Sequence, residues 1–158
     1  MRIGGIQKCS LIDYPGKISA IIFTIGCNFH CPYCHNPELV NETATEIPED
    51  EVLEFLVRRK NLLDAVTITG GEPTIHKDLI PFIQKIKALG FLVKLDTNGT
   101  NPQLLETIQK NALVDYIAMD IKAPLYKYSA SVGRPVDTEN IKKSISLLIA
   151  GKIPYEFR

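Results

Sequence analysis

Short apolar runs alternate with amphipathic stretches along most of the chain. The apolar runs are rich in β-branched residues, which predicts buried strands at residues 18–25, 65–69, 91–96 and 115–121. Between them, apolar side chains recur at helical spacing, which predicts helices at residues 48–60 and 77–89, from 102 onwards, and from 137 or 138 to 150. A fifth strand begins at Pro154. Strands that alternate with helices predict an α/β fold in which right-handed crossovers join parallel strands.

Local signals mark where these elements begin and end. Pro48 is expected at a first helical position, with acidic residues in the first turn and arginines in the last, which complements the helix dipole. Asn101 is expected to cap the helix that starts at Pro102. Residues 2–17 predict a short hairpin or an irregular lead-in, closed by a Pro15-Gly16 turn.

The length of the sequence and its last residues predict the domain organisation. With 158 residues, the chain is expected to form one domain with its own core, residues 1–17 being the lead-in. It ends on the first residues of the fifth predicted strand. We therefore expect about four βα units plus that strand, and a domain that is incomplete at its C-terminus.

Composition excludes several classes of function. Eighteen basic residues balance eighteen acidic ones, so no charge excess is available to attract a nucleic acid. The first residues lack the pattern of a signal peptide, and no apolar run reaches the roughly 18 residues of a membrane span. The sequence thus predicts a cytoplasmic protein with no membrane partner. In that compartment, clustered cysteines indicate metal or redox chemistry rather than disulfides.

Three cysteines lie within eight residues, directly after the first predicted strand. Cys27, Cys31 and Cys34 are spaced four and then three residues apart. Thiolates clustered in this way suit a soft metal or an iron–sulfur cluster. A closed zinc site needs four ligands, and its fourth would come from a residue such as His30 or His35. Three ligands on a four-iron cluster would instead leave one iron open to a substrate.

The next three predicted strands also end in chemically unusual segments. These are Gly70-Gly71-Glu72-Pro73, Asp96-Thr97-Asn98-Gly99 and Asp120-Ile121-Lys122. The carboxyl ends of parallel strands form the active-site rim of (β/α) barrels and the ligand crevice of open α/β sheets. Four segments that converge on one rim indicate a catalytic site rather than four unrelated turns.

The first two of these motifs resemble those of radical S-adenosylmethionine (radical SAM) enzymes. The family signature is Cys-x3-Cys-x2-Cys with an aromatic residue before the last cysteine, and Tyr33 stands at that aromatic position. The family's second motif, Gly-Gly-Glu-Pro, is intact at residues 70–73. The chain is therefore identified as resembling this family over essentially its whole length.

Further segments resemble a subgroup, the glycyl-radical-enzyme activating enzymes. The similarity lies in residues 96–99, residues 120–122 and the His35-Asn36 pair after the last cysteine. The opening residues 5–17 resemble the activating proteins of anaerobic ribonucleoside-triphosphate reductase. Members of that group extend well past the position of Arg158, with further strands and a histidine segment that contacts the ligand.

The resemblance implies a fold and a reaction. The fold is a partial (β/α) barrel that carries a 4Fe-4S cluster on Cys27, Cys31 and Cys34, and the open iron chelates S-adenosylmethionine. One electron from the reduced cluster cleaves this cofactor to methionine and a 5′-deoxyadenosyl radical, which then removes a hydrogen atom from its target. The protein contributes orientation and the exclusion of water.

The resemblance also implies roles for the second motif. Gly70, Gly71, Glu72 and Pro73 would hold the amino group of the cofactor, because glycines let the backbone approach a ligand and a carboxylate accepts from an ammonium. A plain strand-to-helix turn is the alternative.

Asp96, Thr97 and Asp120 offer hard oxygens on adjacent strands, which suit a hard cation. In the pyruvate formate-lyase activating enzyme, which these motifs resemble, matching positions bind a monovalent cation beside the cofactor carboxylate. A hydrogen-bonded structural role is the alternative. Lys122 is expected to reach the ribose or carboxylate of the cofactor, or to pair with Asp120.

Three other residues have two interpretations each. Asn98 is expected either to contact the cofactor or to cap the loop that follows it. Tyr33 and His35 are expected either to pack near the adenine or to serve ordinary packing.

The leading functional hypothesis is an activase that generates a glycyl radical on anaerobic ribonucleoside-triphosphate reductase, with a flavodoxin- or ferredoxin-type electron donor. The alternatives are a pyruvate formate-lyase-type activating enzyme and a small-molecule radical enzyme such as a carboxydeazaguanine synthase. A zinc-bound interaction module is the hypothesis without catalysis.

Overall fold

The computed structural model describes all residues from Met1 to Arg158 and contains one six-stranded sheet. The strands follow the order of the sequence, and only the first pair is antiparallel. They are β1 Ile3–Ser10, β2 Ser19–Thr24, β3 Ala65–Gly70, β4 Leu92–Thr97, β5 Tyr116–Met119 and β6 Tyr155–Phe157. The predicted α/β fold with parallel strands is confirmed, and the sheet stays open between β6 and β1.

Six helices connect or flank the strands. They are α1 Pro37–Val40, α2 Glu49–Arg59, α3 Leu79–Ala88, α4 Pro102–Lys110, α5 Tyr128–Val132 and α6 Thr138–Ala150. The predicted cap of α4 is confirmed, since the Asn101 side chain accepts a hydrogen bond from the Leu104 amide at 3.2 Å. Pro48 precedes α2 as its cap residue instead of opening the helix. The short helices α1 and α5 were not predicted, because four or five residues leave too few positions for a periodic pattern.

Residues 2–17 supply the first strand and the turn of a hairpin, whose second strand is the predicted strand β2. β1 pairs with β2 in antiparallel register, from Ile3 opposite Thr24 to Ser10 opposite Ser19. The Lys17 amide donates to the Tyr14 carbonyl at 3.2 Å, and Gly16 adopts a positive φ of 68° in the same turn. The hairpin therefore adds an edge strand beside β2.

The two faces of the sheet have different neighbours. On one face, which we call the helix-covered face, apolar strand residues join apolar residues from the helices in one core cluster; examples are Ile22, Val66, Ile68, Val93, Leu95 and Ile117. Successive strand residues point to opposite faces, so the intervening residues form the other face. This cavity face carries side chains such as Ile21, Phe23, Thr67, Thr69, Lys94 and Asp96. None of the helices combines the length and the apolar character that crossing a membrane requires.

Candidate active site

A cavity of about 690 Å³ lies against the cavity face, at the carboxyl ends of β2 to β5. All three clustered cysteines and nearly all the predicted strand-end residues line it. The predicted site residues that line the cavity are Cys27, Cys31, Tyr33, Cys34, His35, Gly70, Gly71, Glu72, Asp96, Thr97, Asn98, Asp120 and Lys122. Pro73 is buried outside the lining, where it begins a single 3-10 turn. The four segments therefore do converge on one rim.

The loop that carries the cysteines is held in place by its main chain and by one buried ring. The Cys34 amide donates to the Cys31 carbonyl at 3.0 Å, and the Cys27 sulfur accepts from the Phe29 amide at 3.3 Å. The Phe29 ring is buried and packs edge-on against Tyr128 of α5. Helix α5, which the sequence did not predict, therefore supports the cysteine loop through this ring contact.

The three thiols are free and half-buried along one wall of the cavity. Burial, with a smaller effect from the Glu72 charge, raises the pKa of Cys27 to about 11 despite the Phe29 amide. That thiol is therefore protonated at neutral pH, and a metal must displace its proton.

The positions of the possible metal ligands favour an iron–sulfur cluster over a single zinc ion. No three His, Cys, Asp or Glu side chains lie close enough together to hold one metal ion. His30, a candidate fourth zinc ligand, has Nδ1 2.9 Å from the Phe29 carbonyl and Nε2 3.2 Å from Arg134. Three thiols that line one cavity without forming a site for a single ion fit a multi-iron cluster, whose thiolates bind separate irons.

The two glycines of the second motif let the β3 loop lie directly on the cysteine loop. The Gly71 amide donates to the Thr24 carbonyl and the Glu72 amide to the Gly26 carbonyl, both at 2.9 Å. A Cβ atom on Gly71 would lie 1.9 Å from the Gly26 carbonyl oxygen. Gly70 has a φ of 116°, which a residue with a side chain rarely adopts. The glycines thus permit a backbone–backbone approach at the residue before Cys27, in addition to any approach to a ligand.

Glu72 is buried at the centre of a hydrogen-bond network that joins β3 to β4. Its Oε1 accepts from the amide and the hydroxyl of Thr74 and from the Thr97 hydroxyl at 2.7 Å. Its Oε2 accepts from the Asn98 amide at 2.7 Å. Burial raises the pKa of Glu72, and these donors oppose the shift. The carboxylate therefore positions the rim segments, and its hydrogen bonds stay within the protein.

Asn98 caps its own loop and contacts the cysteine loop. Its Oδ1 accepts from the Thr100 amide at 3.1 Å, which is the capping interpretation of this residue. Its Nδ2 donates to Asn28 Oδ1 at 2.8 Å, and Asn28 Nδ2 donates to the Thr100 hydroxyl at 2.7 Å. Asn28 follows Cys27 directly, so this pair fixes the cysteine loop against the end of β4.

The ends of β4, β5 and β6 carry an array of charges. Lys122 Nζ lies 2.7 Å from Asp120 Oδ2, so the predicted pairing forms. Burial lowers the pKa of Lys122, but the hydrogen bond and charge of Asp120 outweigh it and the net shift is upward. Arg158 lies between the two aspartates, with 3.1 Å contacts to both Asp96 and Asp120. Burial raises the pKa of Asp96, and the cations of Arg158 and Lys94 oppose that shift.

Tyr33 and His35 lie on the solvent side of the cysteine loop. Both side chains line the cavity and both are exposed, with 51% of the Tyr33 surface accessible to solvent. Neither side chain packs into the core, so ordinary core packing does not explain them.

Sequence reasoning missed Lys94, Arg158 and Asn28. Lys94 is buried in mid-strand, where Nζ donates to the Asp13 carbonyl at 2.7 Å and to Glu156 at 3.0 Å. One signal was available: Val93-Lys94-Leu95-Asp96 alternates apolar and charged residues, which is typical of a strand with one polar face. Arg158 and Asn28 carried no comparable signal.

Comparison with known sequences gives consistent relatives. One relative is a Methanocaldococcus jannaschii protein that is named as a glycyl-radical enzyme activating enzyme. It is 43% identical over 151 residues, which cover 93% of this chain and 61% of that protein. The pyruvate formate-lyase-activating enzyme of Clostridium pasteurianum is 35% identical over 127 residues, covering 77% of this chain and 52% of that protein. The chain thus spans about half to three fifths of the length of these curated relatives.

Solved structures share the fold. TYW1 with a lysine–pyruvate adduct bound superimposes with a TM-score of 0.63 at 18% identity, over 89% of this chain and 54% of TYW1. The enzyme anSMEcpe with bound AdoMet gives a TM-score of 0.61 at 24% identity, over 84% of this chain and 40% of the enzyme. At these identities the similarity concerns the fold alone.

The profile of the Radical SAM superfamily matches residues 21–156, which run from within β2 to within β6. That family implies a 4Fe-4S cluster and S-adenosylmethionine, and the three thiols, the tight rim and the cavity fit them. The chain belongs to the radical SAM superfamily.

Proposed function

We propose that this chain carries the catalytic site of a radical SAM activase, which generates a glycyl radical on anaerobic ribonucleoside-triphosphate reductase. The observation that carries the proposal is the single cavity where three free thiols meet the ends of β3, β4 and β5. The 43% identity to the M. jannaschii activating enzyme supports the activase class.

The residues of the chain have distinct tasks in this proposal. Cys27, Cys31 and Cys34 hold the cluster, which when bound supplies the electron for reductive cleavage of S-adenosylmethionine. Lys122, at the rim, orients the polar groups of the cofactor. Tyr33 and His35 stand at the exposed side of the cavity, where the adenine is expected, and shield it from water.

Glu72 and Asn98 act indirectly. They hold the β3 and β4 loops against the cysteine loop, so that the backbone of Gly70 and Gly71 faces the cofactor amino group in a fixed position. A rigid rim of this kind is what orients a bound cofactor for productive cleavage.

The N-terminal hairpin supports the choice of partner. Residues 5–17 resemble activating proteins of anaerobic ribonucleoside-triphosphate reductase, and Gln7, Ile12 and Asp13 from this stretch line the cavity. A segment that borders the site is in a position to influence which glycine-bearing loop enters it. The reducing electron would come from a flavodoxin- or ferredoxin-type donor.

A pyruvate formate-lyase-type activase is the second candidate. It is favoured by identities of 33–35% to named enzymes of this type, which the chain spans over 52–53% of their length. Both candidates take hydrogen from a glycine of a partner enzyme, so they differ in partner rather than in chemistry.

The test uses reconstituted, dithionite-reduced protein under argon with S-adenosylmethionine and each candidate partner. We expect an electron paramagnetic resonance signal of a glycyl radical on the reductase, and deuterium transfer from labelled glycine into 5′-deoxyadenosine. A radical only on pyruvate formate-lyase selects the second candidate. Cofactor cleavage with no transfer from either partner contradicts an activase and favours a small-molecule enzyme such as a carboxydeazaguanine synthase.

A further inference from the structure

Asp96, Asp120 and Arg158 lie on the same face at the same end of the sheet. Asp96 on β4 is opposite Ala118 on β5, and Ala118 is opposite Glu156 on β6. Because every second strand residue points to the same face, Asp120 and Arg158 follow Ala118 and Glu156 onto the face that carries Asp96. All three side chains line the cavity.

The guanidinium of Arg158 bridges the two carboxylates. Its Nη2 lies 3.1 Å from Asp96 Oδ2, and its Nε lies 3.1 Å from Asp120 Oδ1. The backbone of Arg158 is held too, since its amide donates to the Met119 carbonyl at 3.0 Å and its carbonyl accepts from the Ile121 amide at 2.7 Å. Both main-chain and side-chain contacts therefore fix this cation in place.

Thr97, the third oxygen donor of the expected cation site, is turned elsewhere. Its hydroxyl donates to Glu72 Oε1 at 2.7 Å and accepts from the Gly99 amide at 3.1 Å. Thr97 and Asp96 both line the cavity, but the Thr97 hydroxyl is engaged by Glu72 and Gly99, whereas Arg158 engages Asp96 and Asp120. The side-chain oxygens that would suit a monovalent ion therefore already have other partners.

The charges around the aspartates are already balanced. Asp96, Asp120 and Glu156 face Lys94, Lys122 and Arg158 through contacts of 2.7–3.6 Å. An added alkali ion would therefore meet a neutral array with a guanidinium at its centre. Without Arg158 the array would carry one uncompensated negative charge.

We propose that Arg158 is the permanent cation of this site and takes the place of the monovalent metal ion expected between Asp96, Thr97 and Asp120. The site is then independent of alkali ions. The part of this inference that concerns cofactor affinity rests on the proposed function, whereas the part that concerns the protein alone does not.

The first test is thermal unfolding of the cluster-free protein at equal ionic strength in potassium, sodium or tetramethylammonium chloride. The wild type should have the same midpoint in all three salts. In tetramethylammonium chloride, the midpoint of Arg158→Gln should be about 3 °C below that of the wild type. Potassium or sodium should raise the midpoint of this variant part of the way back, in a saturable manner. Arg134→Gln, which removes an exposed arginine outside the cavity, is the matched control and should respond to none of the salts.

Two results would overturn the inference: a saturable rise of the wild-type midpoint with potassium or sodium, or an Arg158→Gln protein that is indifferent to both ions. If Arg158→Gln does not fold, thallium-205 resonance on the wild type decides, since a bound thallium ion contradicts the proposal and its absence supports it.

The second test measures S-adenosylmethionine affinity of the reconstituted wild type by calorimetry. The dissociation constant should be the same in potassium and in tetramethylammonium, and a large loss of affinity in tetramethylammonium would overturn the proposal. A protein that binds no cofactor in any salt contradicts the proposed function, while the unfolding experiment still decides the role of Arg158.

Discussion

The helix-covered face and the cavity face of the sheet are built by the same strands but obey different rules. Ile68 and Leu95 on the helix-covered face are fully buried in the apolar core. Thr67 and Asp96, each adjacent to one of them in sequence, are buried on the cavity face with a side-chain oxygen that has no hydrogen-bond partner. Buried polar atoms without partners cost stability, so Thr67 and Asp96 do not contribute to stability as Ile68 and Leu95 do.

Function and stability therefore depend on different faces of the sheet. The charged strand residues Lys94, Asp96 and Glu156 share the cavity face, and Asp96 lines the cavity together with the three thiols. Changes on that face should affect metal and ligand binding more than folding, and changes on the other face should do the opposite.

The largest effect is expected at the cysteines. Cys31→Ala should reduce the iron content after anaerobic reconstitution from about four per chain to near zero, because two thiolates do not hold a 4Fe-4S cluster. The unfolding midpoint of the metal-free protein should stay unchanged. Cys9→Ser, on an exposed thiol outside the cavity, is the control and should keep its iron. Equal iron in both variants would remove Cys31 from the cluster.

The next largest effect is expected on the free energy of unfolding, where substitutions at two adjacent residues on opposite faces should differ. Ile68→Ala should lower the free energy of unfolding by about 3 kcal/mol, since it leaves a cavity in the core. Thr67→Val replaces a buried hydroxyl that lacks a partner and should leave stability equal or slightly higher. Urea denaturation of the metal-free proteins measures both. If Thr67→Val is as damaging as Ile68→Ala, the two faces do not differ as described.

Glu72 lines the cavity but has a structural task. Glu72→Ala should cost about 2 kcal/mol in the metal-free protein, since it leaves the donors of Thr74, Thr97 and Asn98 without an acceptor. Glu42→Ala, on an exposed carboxylate paired with Arg2, should leave stability unchanged in the same urea titration. A Glu72→Ala protein with wild-type stability would mean that Glu72 acts on the ligand alone.

The smallest effect concerns the link between the β4 loop and the cysteine loop. Asn28→Ala removes hydrogen bonds to Asn98 and Thr100 and should cost about 1 kcal/mol of unfolding free energy. It should also speed iron loss to a chelator, because the cysteine loop is less firmly held. Wild-type rates of iron release in Asn28→Ala would show that this link does not support the cluster.

The sequence predicted the elements with strong local signals. Asn101 caps α4 as expected, since its side chain accepts a hydrogen bond from the Leu104 amide. Helix α6 begins at Thr138, one of the two expected starts. The clustering of the strand ends followed from the rule that parallel strands share one carboxyl edge, and thirteen of the predicted residues line the cavity.

What the sequence could not supply was the pairing between distant segments. Arg158 lies 62 residues from Asp96, and only the alignment of β4, β5 and β6 brings them together. The role of Glu72 depends on donors from Thr97 and Asn98, 25 and 26 residues away. The contact of Gly71 with Gly26 likewise arises from the β2–β3 register, which a local motif does not encode.

We propose that Cys27, Cys31 and Cys34 hold a 4Fe-4S cluster whose open iron faces this cavity. Electron paramagnetic resonance of the reconstituted, dithionite-reduced protein, recorded with and without S-adenosylmethionine, tests it most directly. We expect the signal of a reduced 4Fe-4S cluster, with g values that change when the cofactor is added. A protein that binds one zinc and no iron, or a cluster signal that the cofactor leaves unchanged, would contradict it.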